Sequence, residues 1–453
     1  MMLRDDRMSS TIRPRKWLIL CIFITIPLLG YLWFYPSCHG FHTATSFTTD
    51  SVYSVWPQFT TETVFTQEYF DERCFRMTDM SIAKLDSFVK EWGQSSKSEC
   101  RDLYQRFAAM FSVSKRQTPL ILPNPFKAKV KNWLGNNEEL FQQVYKQEVT
   151  HVFNRVTREY NIFNPLRDKR PMKTPAEPER QYVERLIVNS RESCDFCNYK
   201  NFTAEHETHR LESSMSYTAS NTFKMEKWHA LFMFKKHHPL NWNREEFIDL
   251  MKLSQKWFHV AHKRDPAAKY RVMVWDIFPH AGASQIHPHV HGFLSPHLYH
   301  GVVEAWREGA EEYYRRYNNN YFTDLVSVYS AMGLTVTHGA AVAIASIVPK
   351  KDHEVIILSP TPGDSFFQLI YYTLRAFIDD IDKLCFSMGI GLPPLGSDLG
   401  SIPAYARIVT RGAVADVRTD MSSLELFAGT NVNIDPYKVI KLVHASVQSR
   451  HTG

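Results

Sequence analysis

The sequence predicts an α+β fold made of two similar halves, each an antiparallel sheet with packed helices. A helical region and an N-terminal transmembrane anchor precede these halves. Apolar runs typical of strands (230–234, 271–275 and 290–294) flank one strong helical pattern at 244–262. A similar order of strands, helix and strands returns after residue 340, which favours two copies of one α+β unit.

Composition limits the classes of function. The chain has 453 residues, of which 44% are hydrophobic and 22% charged, as in an ordinary globular protein and unlike a disordered one. The formal net charge of +6 suits phosphate-bearing ligands but is too small and too diffuse to indicate nucleic-acid binding. We therefore expect no nucleic-acid partner.

Residues 17–35 are predicted to form an uncleaved signal anchor. This uncharged stretch of 19 residues, as a helix rising about 1.5 Å per residue, would just cross a hydrocarbon core of roughly 30 Å. A cleaved signal peptide is the alternative, but no small-residue cleavage site follows the stretch. Five basic residues precede it: Arg4, Arg7, Arg13, Arg15 and Lys16. Because no Lys or Arg follows until Arg73, the positive-inside rule predicts a single-pass type II membrane protein of the endoplasmic reticulum or Golgi, with a lumenal catalytic region.

Changes in sequence pattern divide the whole chain into several predicted regions. The predicted regions are a cytosolic tail (1–16), the anchor (17–35), a stalk (36–80), a helical region with a basic loop (81–180), the first half (181–300) and a degenerate second half (301–453). Within the helical region, 140–156 reads as an amphipathic helix. In the second half we expect strands at 341–348, 355–358, 406–409 and 424–427 and a helix at 365–386.

Cysteine usage agrees with a lumenal placement. An oxidising compartment permits one or two disulfides among four cysteines whose pairing the sequence does not assign: Cys38, Cys74, Cys100 and Cys385. A single glycosylation sequon at Asn201 adds weak support.

The densest group of reactive side chains lies in residues 282–293, which read GASQIHPHVHGF. If a strand begins at His287, its period of two places His287, His289 and His291 on one face. Such imidazoles can bind a metal, or one of them can attack phosphorus and form a phosphoramidate. The small residues around Gly282 would let backbone N–H groups approach a phosphate. The alternative is a surface histidine cluster without function.

A Cys-x-x-Cys pair, Cys194 and Cys197, forms the second motif. This spacing is common in zinc sites but supplies only two of four ligands. His237 or His238, together with His287, could complete the site. A disulfide or redox pair is the alternative, and a lumenal location makes it more plausible than usual.

The third motif is the basic turn RDKRP at 167–171. Arg167 and Arg170 could clamp phosphate oxygens, because a guanidinium binds them bidentately. Taken alone, such a turn is more often a solvated loop.

In this order the motifs resemble the galactose-1-phosphate uridylyltransferase branch of the histidine-triad (HIT) superfamily. A basic Arg-x-x-Arg-Pro turn, a Cys-x-x-Cys pair, a Lys-rich turn ending in His and a Gly-x-Ser-x-x-His-Pro-His strand form that family's layout. Residues 342–349 and 353–360 resemble the opening strands of its second half, and 424–429 its late strand. The resemblance covers roughly residues 160–440 and implies two HIT-like halves.

The resemblance also implies a function and assigns residues to it. It implies a nucleotidyltransferase or phosphorylase that acts on a nucleotide-sugar or dinucleotide, with a sugar phosphate or phosphate as acceptor, through a covalent nucleotidyl-histidine. His289 would be the nucleophile, and Ser284 would hydrogen-bond the phosphate near Gly282. Arg167 and Arg170 match the phosphate-contacting arginines of the family. Its structural Zn²⁺ ligands are matched by Cys194, Cys197, His237 or His238, and His287. The resemblance admits a homodimer.

Three features depart from the family pattern. His291 stands where the transferases usually have Gln, and His at this place is typical of histidine-triad hydrolases and some phosphorylases. Asp276 stands where the family usually has Asn. The segment from Tyr405 to Thr410 lacks the family's second His-x-His pair, so we expect no iron site there.

These departures keep two alternatives open. One is a HIT-type nucleotide hydrolase in which His291 assists water. The other is a non-catalytic lumenal protein that retains the fold, which Asp276 favours and the intact His289 and Ser284 oppose. The sequence names neither the base nor the sugar of a substrate.

Overall fold

The computed structural model describes residues 57–74, 76, 78–169, 177–396, 402–416 and 420–451. The predicted cytosolic tail and the predicted anchor lie outside these residues, so the membrane topology stays a prediction. Within the described ranges, no helix has both the length and the apolar character needed to cross a bilayer.

The described residues form thirteen strands in two sheets. In chain order these are β1 (Phe111–Pro119), β2 (Lys146–Asn154), β3 (Tyr160–Phe163), β4 (Ser216–Ser220), β5 (Trp228–Phe234), β6 (Tyr270–Asp276), β7 (His289–Ser295), β8 (Thr335–His338), β9 (Ala341–Ala345), β10 (Val355–Ser359), β11 (Phe386–Leu392), β12 (Ala404–Thr410) and β13 (Gly429–Val432). A small sheet has the order β1-β2-β3-β13, and its last pair is parallel. The other nine strands form one antiparallel sheet in the order β4-β5-β7-β6-β11-β12-β10-β9-β8.

Helices connect these strands and pack against them. In chain order they are α1 (Gln67–Arg73), α2 (Leu85–Gly93), α3 (Ser98–Met110), α4 (Asn124–Trp133), α5 (Glu138–Val144), α6 (Glu179–Arg191), α7 (Tyr199–Phe202), α8 (Arg244–Arg264), α9 (Phe278–Ala281), α10 (Gly301–Tyr317), α11 (Tyr321–Ala331), α12 (Asp364–Arg375) and α13 (Pro436–His451). A π-helix, Ala376–Asp380, extends α12. Shorter 3-10 helices span Ile82–Lys84, Pro165–Lys169 and Ser423–Phe427.

The nine-stranded sheet contains the same four-strand pattern twice. The first set runs β4, β5, α8, β6, β7 along the chain and lies in the order β4-β5-β7-β6. The second set runs β9, β10, α12, β11, β12 and lies in the order β9-β10-β12-β11. The third strands of both sets pair antiparallel, with Met273 opposite Ile390. The topology thus supports the two predicted halves and adds that they share one sheet.

The long helix α8 shows how the sequence specifies one layer of the core. It begins at a capping box in which Asn243 and Glu246 satisfy each other's backbone N–H groups. Phe247, Leu250 and Phe258 belong to its fully buried stripe, spaced as one face of a helix requires. This helix corresponds to the predicted helix at 244–262.

Two predictions of secondary structure are wrong. The segment predicted as an amphipathic helix at 140–156 is helical only to Val144, and Lys146–Asn154 is the strand β2. Pairing with β1 decides its structure, which a short apolar pattern does not reveal. The predicted strand at 424–427 lies in a 3-10 helix, Ser423–Phe427, with its own capping box. The strand follows it, at β13.

Two further boundaries differ from expectation. The helix predicted for 365–386 ends in the π-helix at Asp380, and Phe386 begins β11. The described part of the predicted stalk packs on the fold, since Phe59 and Phe70 are buried in the main core. The side-chain amide of Asn320 also donates to the carbonyl of Pro57 over 2.9 Å. Residues 57–74 are therefore part of the folded unit.

Candidate active site

The histidine strand β7 lies between β5 and β6, near the centre of the first half. His289 and His291 share one face of this strand, and their ring centroids are 5.1 Å apart. His287 precedes the strand. Gly292 faces the opposite side, where Phe232 and Phe258 occupy the space that a Cβ would need. The two histidines therefore point away from the layer formed by α8.

Hydrogen bonding fixes the protonation of His289, whose side chain is buried. Its Nδ1 lies 2.9 Å from the backbone carbonyl oxygen of His287. A carbonyl oxygen only accepts, so Nδ1 donates the proton and Nε2 keeps its lone pair. Burial lowers the pKa of His289, although this carbonyl and the charge of Asp276 oppose the change. The ring is therefore neutral at neutral pH, with Nε2 as its nucleophilic atom.

A further histidine, His229 on β5, contacts His291. The Nε2 atom of His229 lies 3.0 Å from Nδ1 of His291, and the backbone N–H of Met225 donates to Nδ1 of His229 over 3.2 Å. Burial lowers the pKa of His229 to about 4 and that of His291 to about 3. The sequence analysis missed His229, because no motif marks it and only strand pairing brings it to His291.

The loop between β6 and β7 carries the two small residues assigned to phosphate binding. Helix α9 ends at Gly282, whose φ of +117° suits glycine. The N–H groups of Gly282 and Ala283 return to the carbonyls of Pro279 and Phe278. Ser284 follows and is exposed, so its hydroxyl is accessible to a ligand.

Asp276, at the end of β6, is held by the second half of the chain. Its Oδ1 accepts a hydrogen bond from the Ser387 hydroxyl over 2.5 Å, and Ser387 accepts one from Arg411 over 2.9 Å. Arg411 also donates twice to Asp420, over 2.6 and 2.7 Å, and to the carbonyl of Ala281 over 3.2 Å. Arg411 thus ties the second half to the segment between β6 and β7. Ser387 and Arg411 carry no local signal in the sequence and were missed.

Four potential metal ligands converge beside His289. The Sγ atoms of Cys194 and Cys197 and one ring nitrogen each of His237 and His287 lie within 4.8 Å of one another. Nδ1 of His287 lies 3.6 Å from both sulfurs, and Nδ1 of His237 lies 3.3 Å from Sγ of Cys197. Bonds of about 2.0–2.3 Å to a tetrahedral zinc separate its ligands by roughly 3.6 Å. The spacing therefore fits a zinc ion.

The outer nitrogens of the two histidines support this fit. Nε2 of His237 lies 3.2 Å from the carbonyl of Ile187, and Nε2 of His287 lies 2.8 Å from the carbonyl of Phe234. Each ring donates through Nε2 and keeps its Nδ1 lone pair for a metal, as ligating histidines usually do.

His238, the alternative ligand in the sequence analysis, lies outside this group. Its Nε2 is 3.2 Å from a carboxylate oxygen of Glu184, and its Nδ1 accepts the N–H groups of Leu240 and Asn241 over 3.1 Å. Of the two candidates, the structure places His237 beside the cysteine pair.

The cysteine pair is not joined by a disulfide. Cys194 and Cys197 are free, and so is the buried Cys385. Among the described residues, the disulfide joins Cys74 to Cys100. The predicted candidate Cys38 lies outside them.

Phe196, between the two cysteines in sequence, contacts both His287 of the cysteine–histidine group and His289. Its ring meets His287 and His289 edge to face, at centroid distances of 5.8 and 5.3 Å. The Tyr217 hydroxyl donates to its carbonyl over 2.6 Å. The four potential metal ligands therefore lie directly beside His289.

The basic turn is described only in part. Arg167 lies half-buried on the 3-10 helix Pro165–Lys169, directly after β3. Arg170 lies outside the described residues. Their contacts with phosphate stay predictions.

A buried ion cluster occupies β12, where the sequence lacks the second His-x-His pair. Arg407 lies 2.7 Å from Glu159 and 3.4 Å from Glu354, and its guanidinium stacks over Trp306. Burial tends to raise the pKa of Glu159, but Arg407 and Lys350 more than offset this and lower it. Burial raises the pKa of Glu354 against the opposing charge of Arg407. We assign this cluster to stability.

No protein-family model and no curated protein matches the sequence. Solved structures do match the fold. An ADP-glucose phosphorylase from Arabidopsis thaliana with bound ADP-glucose superposes with a TM-score of 0.50 and 15% identity, over 64% of this chain and 96% of that one. A galt-like protein from the same plant gives 0.46 and 14% over 56% and 92%, and a yeast Ap4A phosphorylase gives 0.32 and 12% over 72% and 97%. At such identities the likeness concerns the fold alone. By that measure, the chain has the fold of the ADP-glucose phosphorylase.

Proposed function

We propose that the protein is a nucleotidyltransferase or phosphorylase that passes a nucleoside monophosphate from a nucleotide-sugar or dinucleotide to a phosphate-bearing acceptor. One observation carries the proposal: His289 is buried, and its Nδ1 donates to the carbonyl of His287, which leaves the Nε2 lone pair available for attack. The ADP-glucose bound to the Arabidopsis phosphorylase of the same fold supports a nucleotide-sugar as substrate.

In the first step, Nε2 of His289 attacks the phosphorus of the nucleoside phosphate. A P–N bond forms while the bridging P–O bond breaks, and its electron pair leaves with the sugar phosphate or nucleotide product. The ring gains positive charge, which its Nδ1–H bond to the His287 carbonyl stabilises. The Ser284 hydroxyl would hold a non-bridging oxygen, and Arg167 and Arg170 would offset the charge of the departing group.

In the second step, an oxygen of the acceptor phosphate attacks the same phosphorus. The P–N bond breaks, and its electron pair returns to Nε2 of His289. A phosphate oxygen attacks without losing a proton, so this exchange requires no general base. The two steps describe a ping-pong reaction with a covalent intermediate.

We further propose that the Cys194–Cys197–His237–His287 group holds a structural Zn²⁺. The support is the ligand spacing together with the carbonyl contacts of both outer ring nitrogens. When bound, zinc would fix the loop around Phe196 against the histidine strand. The reaction steps would be carried out by the side chains of the chain itself.

A lumenal position of the catalytic region is also a proposal. The basic flank before residue 17 supports it, and the Cys74–Cys100 disulfide favours an oxidising compartment. A protease should spare a C-terminal tag in sealed microsomes. Digestion of the tag in intact vesicles would exclude the lumenal position.

Hydrolysis is the second candidate function. It is favoured by His291, which lies 5.1 Å from His289 between ring centroids and could assist water if it had a free lone pair. A homodimer stays a prediction, since the structure contains one chain.

Labelling of the full-length protein tests the proposal. The protein is incubated with ADP-glucose, UDP-glucose or Ap4A that carries ³²P in the phosphate next to the nucleoside. We expect a label that survives alkali and is lost in acid, as phosphoramidates are. His289→Asn should abolish label and turnover, whereas His259→Asn, on the exposed side of α8, should change neither. If the wild type shows neither label nor His289-dependent turnover with any of these substrates, the non-catalytic alternative replaces the proposal.

A further inference from the structure

We propose that His229 fixes His291 as a neutral N–H donor, so that His291 cannot activate water and the site favours transfer over hydrolysis. The inference rests on the proposed function, because it concerns the fate of the nucleotidyl-His289 intermediate.

The backbone determines where the proton of His229 lies. The N–H of Met225 points at Nδ1 of His229 over 3.2 Å, and a backbone N–H can only donate. Nδ1 must therefore be unprotonated, and the single proton of the neutral ring is on Nε2. This Nε2–H faces Nδ1 of His291 over 3.0 Å. His291 accepts at Nδ1 and carries its own proton on Nε2.

Asn221 does not reverse this assignment. Its amide nitrogen lies 3.4 Å from Nε2 of His229, while its Oδ1 accepts the N–H of Phe223 over 2.9 Å. A hydrogen bond from this amide would need an unprotonated Nε2. The proton of His229 would then sit on Nδ1 and oppose the N–H of Met225, donor against donor. The shorter contact with His291 is therefore the hydrogen bond.

Packing holds both rings in this arrangement. The His229 ring packs against both His291 and Phe293, at centroid distances of 5.2 and 4.3 Å. Burial is the main cause that lowers the pKa of His229, and the charges of Lys224 and His300 lower it further. A flipped ring would lose both the Met225 and the His291 hydrogen bonds.

A fixed tautomer removes the base that hydrolysis needs. Activation of water requires an acceptor for its proton while the P–N bond of the intermediate breaks. The Nδ1 lone pair of His291 is engaged by His229, and its Nε2 is already protonated. His291 can therefore only donate, as the side-chain NH₂ group of Gln does. A phosphate acceptor attacks without such a base. The nucleotidyl-His289 intermediate therefore reacts with phosphate in preference to water.

Two substitutions at His229 separate the hydrogen bond from the shape of the ring. His229→Phe keeps a ring but has no N–H donor, which frees Nδ1 of His291. His229→Gln can accept the N–H of Met225 and donate to His291. We expect His229→Phe to raise the ratio of hydrolysis to phosphate transfer about tenfold, because a general base contributes roughly 10²–10⁴-fold when correctly placed. His229→Gln should keep the wild-type ratio.

A spectroscopic measurement tests the tautomer independently of turnover. In full-length protein with ¹⁵N-labelled histidine, His291→Gln identifies the His291 signals, and the wild type should show the Nε2–H tautomer. In His229→Phe a tautomer mixture should appear, and His259→Asn should leave the His291 signals unchanged. An unchanged hydrolysis ratio in His229→Phe, or an Nδ1–H tautomer in the wild type, overturns the inference. Absence of any nucleotidyl label in a protein with the expected tautomer overturns the proposed function instead.

Discussion

Arg411 allows a direct test of whether the second half supports the active site of the first. Its guanidinium donates to both carboxylate oxygens of Asp420, to the Ser387 hydroxyl and to the carbonyl of Ala281. Through Ser387 it also positions Asp276 at the end of β6. Arg411→Met removes all four of these hydrogen bonds while retaining an unbranched apolar stem in a site where the side chain is only 13% exposed.

The size of the effect follows from these contacts. Hydrogen bonds to charged groups contribute about 1.5–3 kcal/mol each, but they are not additive. Asp420 can regain water after the change, because its side chain is 19% exposed. We therefore expect the free energy of unfolding to fall by about 2–3 kcal/mol. The Ala281 carbonyl would lose its anchor beside the loop of Gly282, and a displacement of about 1 Å costs up to about 100-fold in rate.

Arg375 offers a matched control on α12. It donates to both carboxylate oxygens of Asp379 and to the carbonyl of Leu240, and its side chain is 15% exposed. Arg375→Met should therefore lose similar stability without a change in kcat/KM. Urea midpoints followed by tryptophan fluorescence and kcat/KM for phosphate transfer distinguish the two variants.

One result would refute this reasoning. If Arg411→Met loses as much stability as Arg375→Met but keeps the wild-type kcat/KM, the Arg411 contacts are structural only. A conservative Arg411→Lys change should recover part of the activity, since an ammonium can still reach one partner.

Three further predictions concern metal, pH and charge. Elemental analysis should find about one zinc per chain, lost in Cys194→Ser/Cys197→Ser, and a Cys194–Cys197 disulfide in active protein would exclude the site. Burial lowers the pKa of His353 to about 4, from about 6.5 in the unfolded chain. The free energy of unfolding is therefore unaffected by this ring above about pH 6.5 and falls as the pH drops from about 6.5 toward 4, because the unfolded chain binds the proton more tightly. His353→Asn, which suits the φ of +56°, should reduce acid destabilisation in this window by up to about 1.4 kcal/mol per pH unit, and parallel pH profiles would contradict the assignment. Arg407→Met should destabilise the protein by about 3–5 kcal/mol, with partial recovery on adding Glu159→Gln, and an unshifted urea midpoint would show that the cluster contributes little.

The features that were correctly predicted are encoded locally. A capping box and a periodic apolar stripe define α8, and its bounds follow from residues that are neighbours in sequence. The alternation of His289 and His291 likewise places both rings on one face of β7. Cys194 and Cys197 were recognisable as a possible metal-binding pair because a two-residue gap lets both sulfurs reach one ion.

The features that were missed depend on strand pairing. The segment at 146–154 has apolar residues that fit a helix or a strand, and its pairing with β1 decides between them. Ser387 reaches Asp276 across 111 residues of sequence, through the register of β6 against β11. His229 meets His291 across 62 residues in the same way. The strand register that makes these pairs neighbours cannot be read from one sequence alone, because it depends on residues far apart in the chain.

The shared sheet has a consequence for how such a chain can change over generations. With β6 and β11 paired, the nine-stranded sheet of the described residues ends at β4 and β8, so either half alone would expose β6 or β11 as an additional edge strand that invites aggregation. Side chains of the second half can therefore change without loss of the sheet, whereas deletion of its strands would expose β6. On the proposed function, the second half is retained because β11 and its neighbours complete the sheet beside the site of the first half.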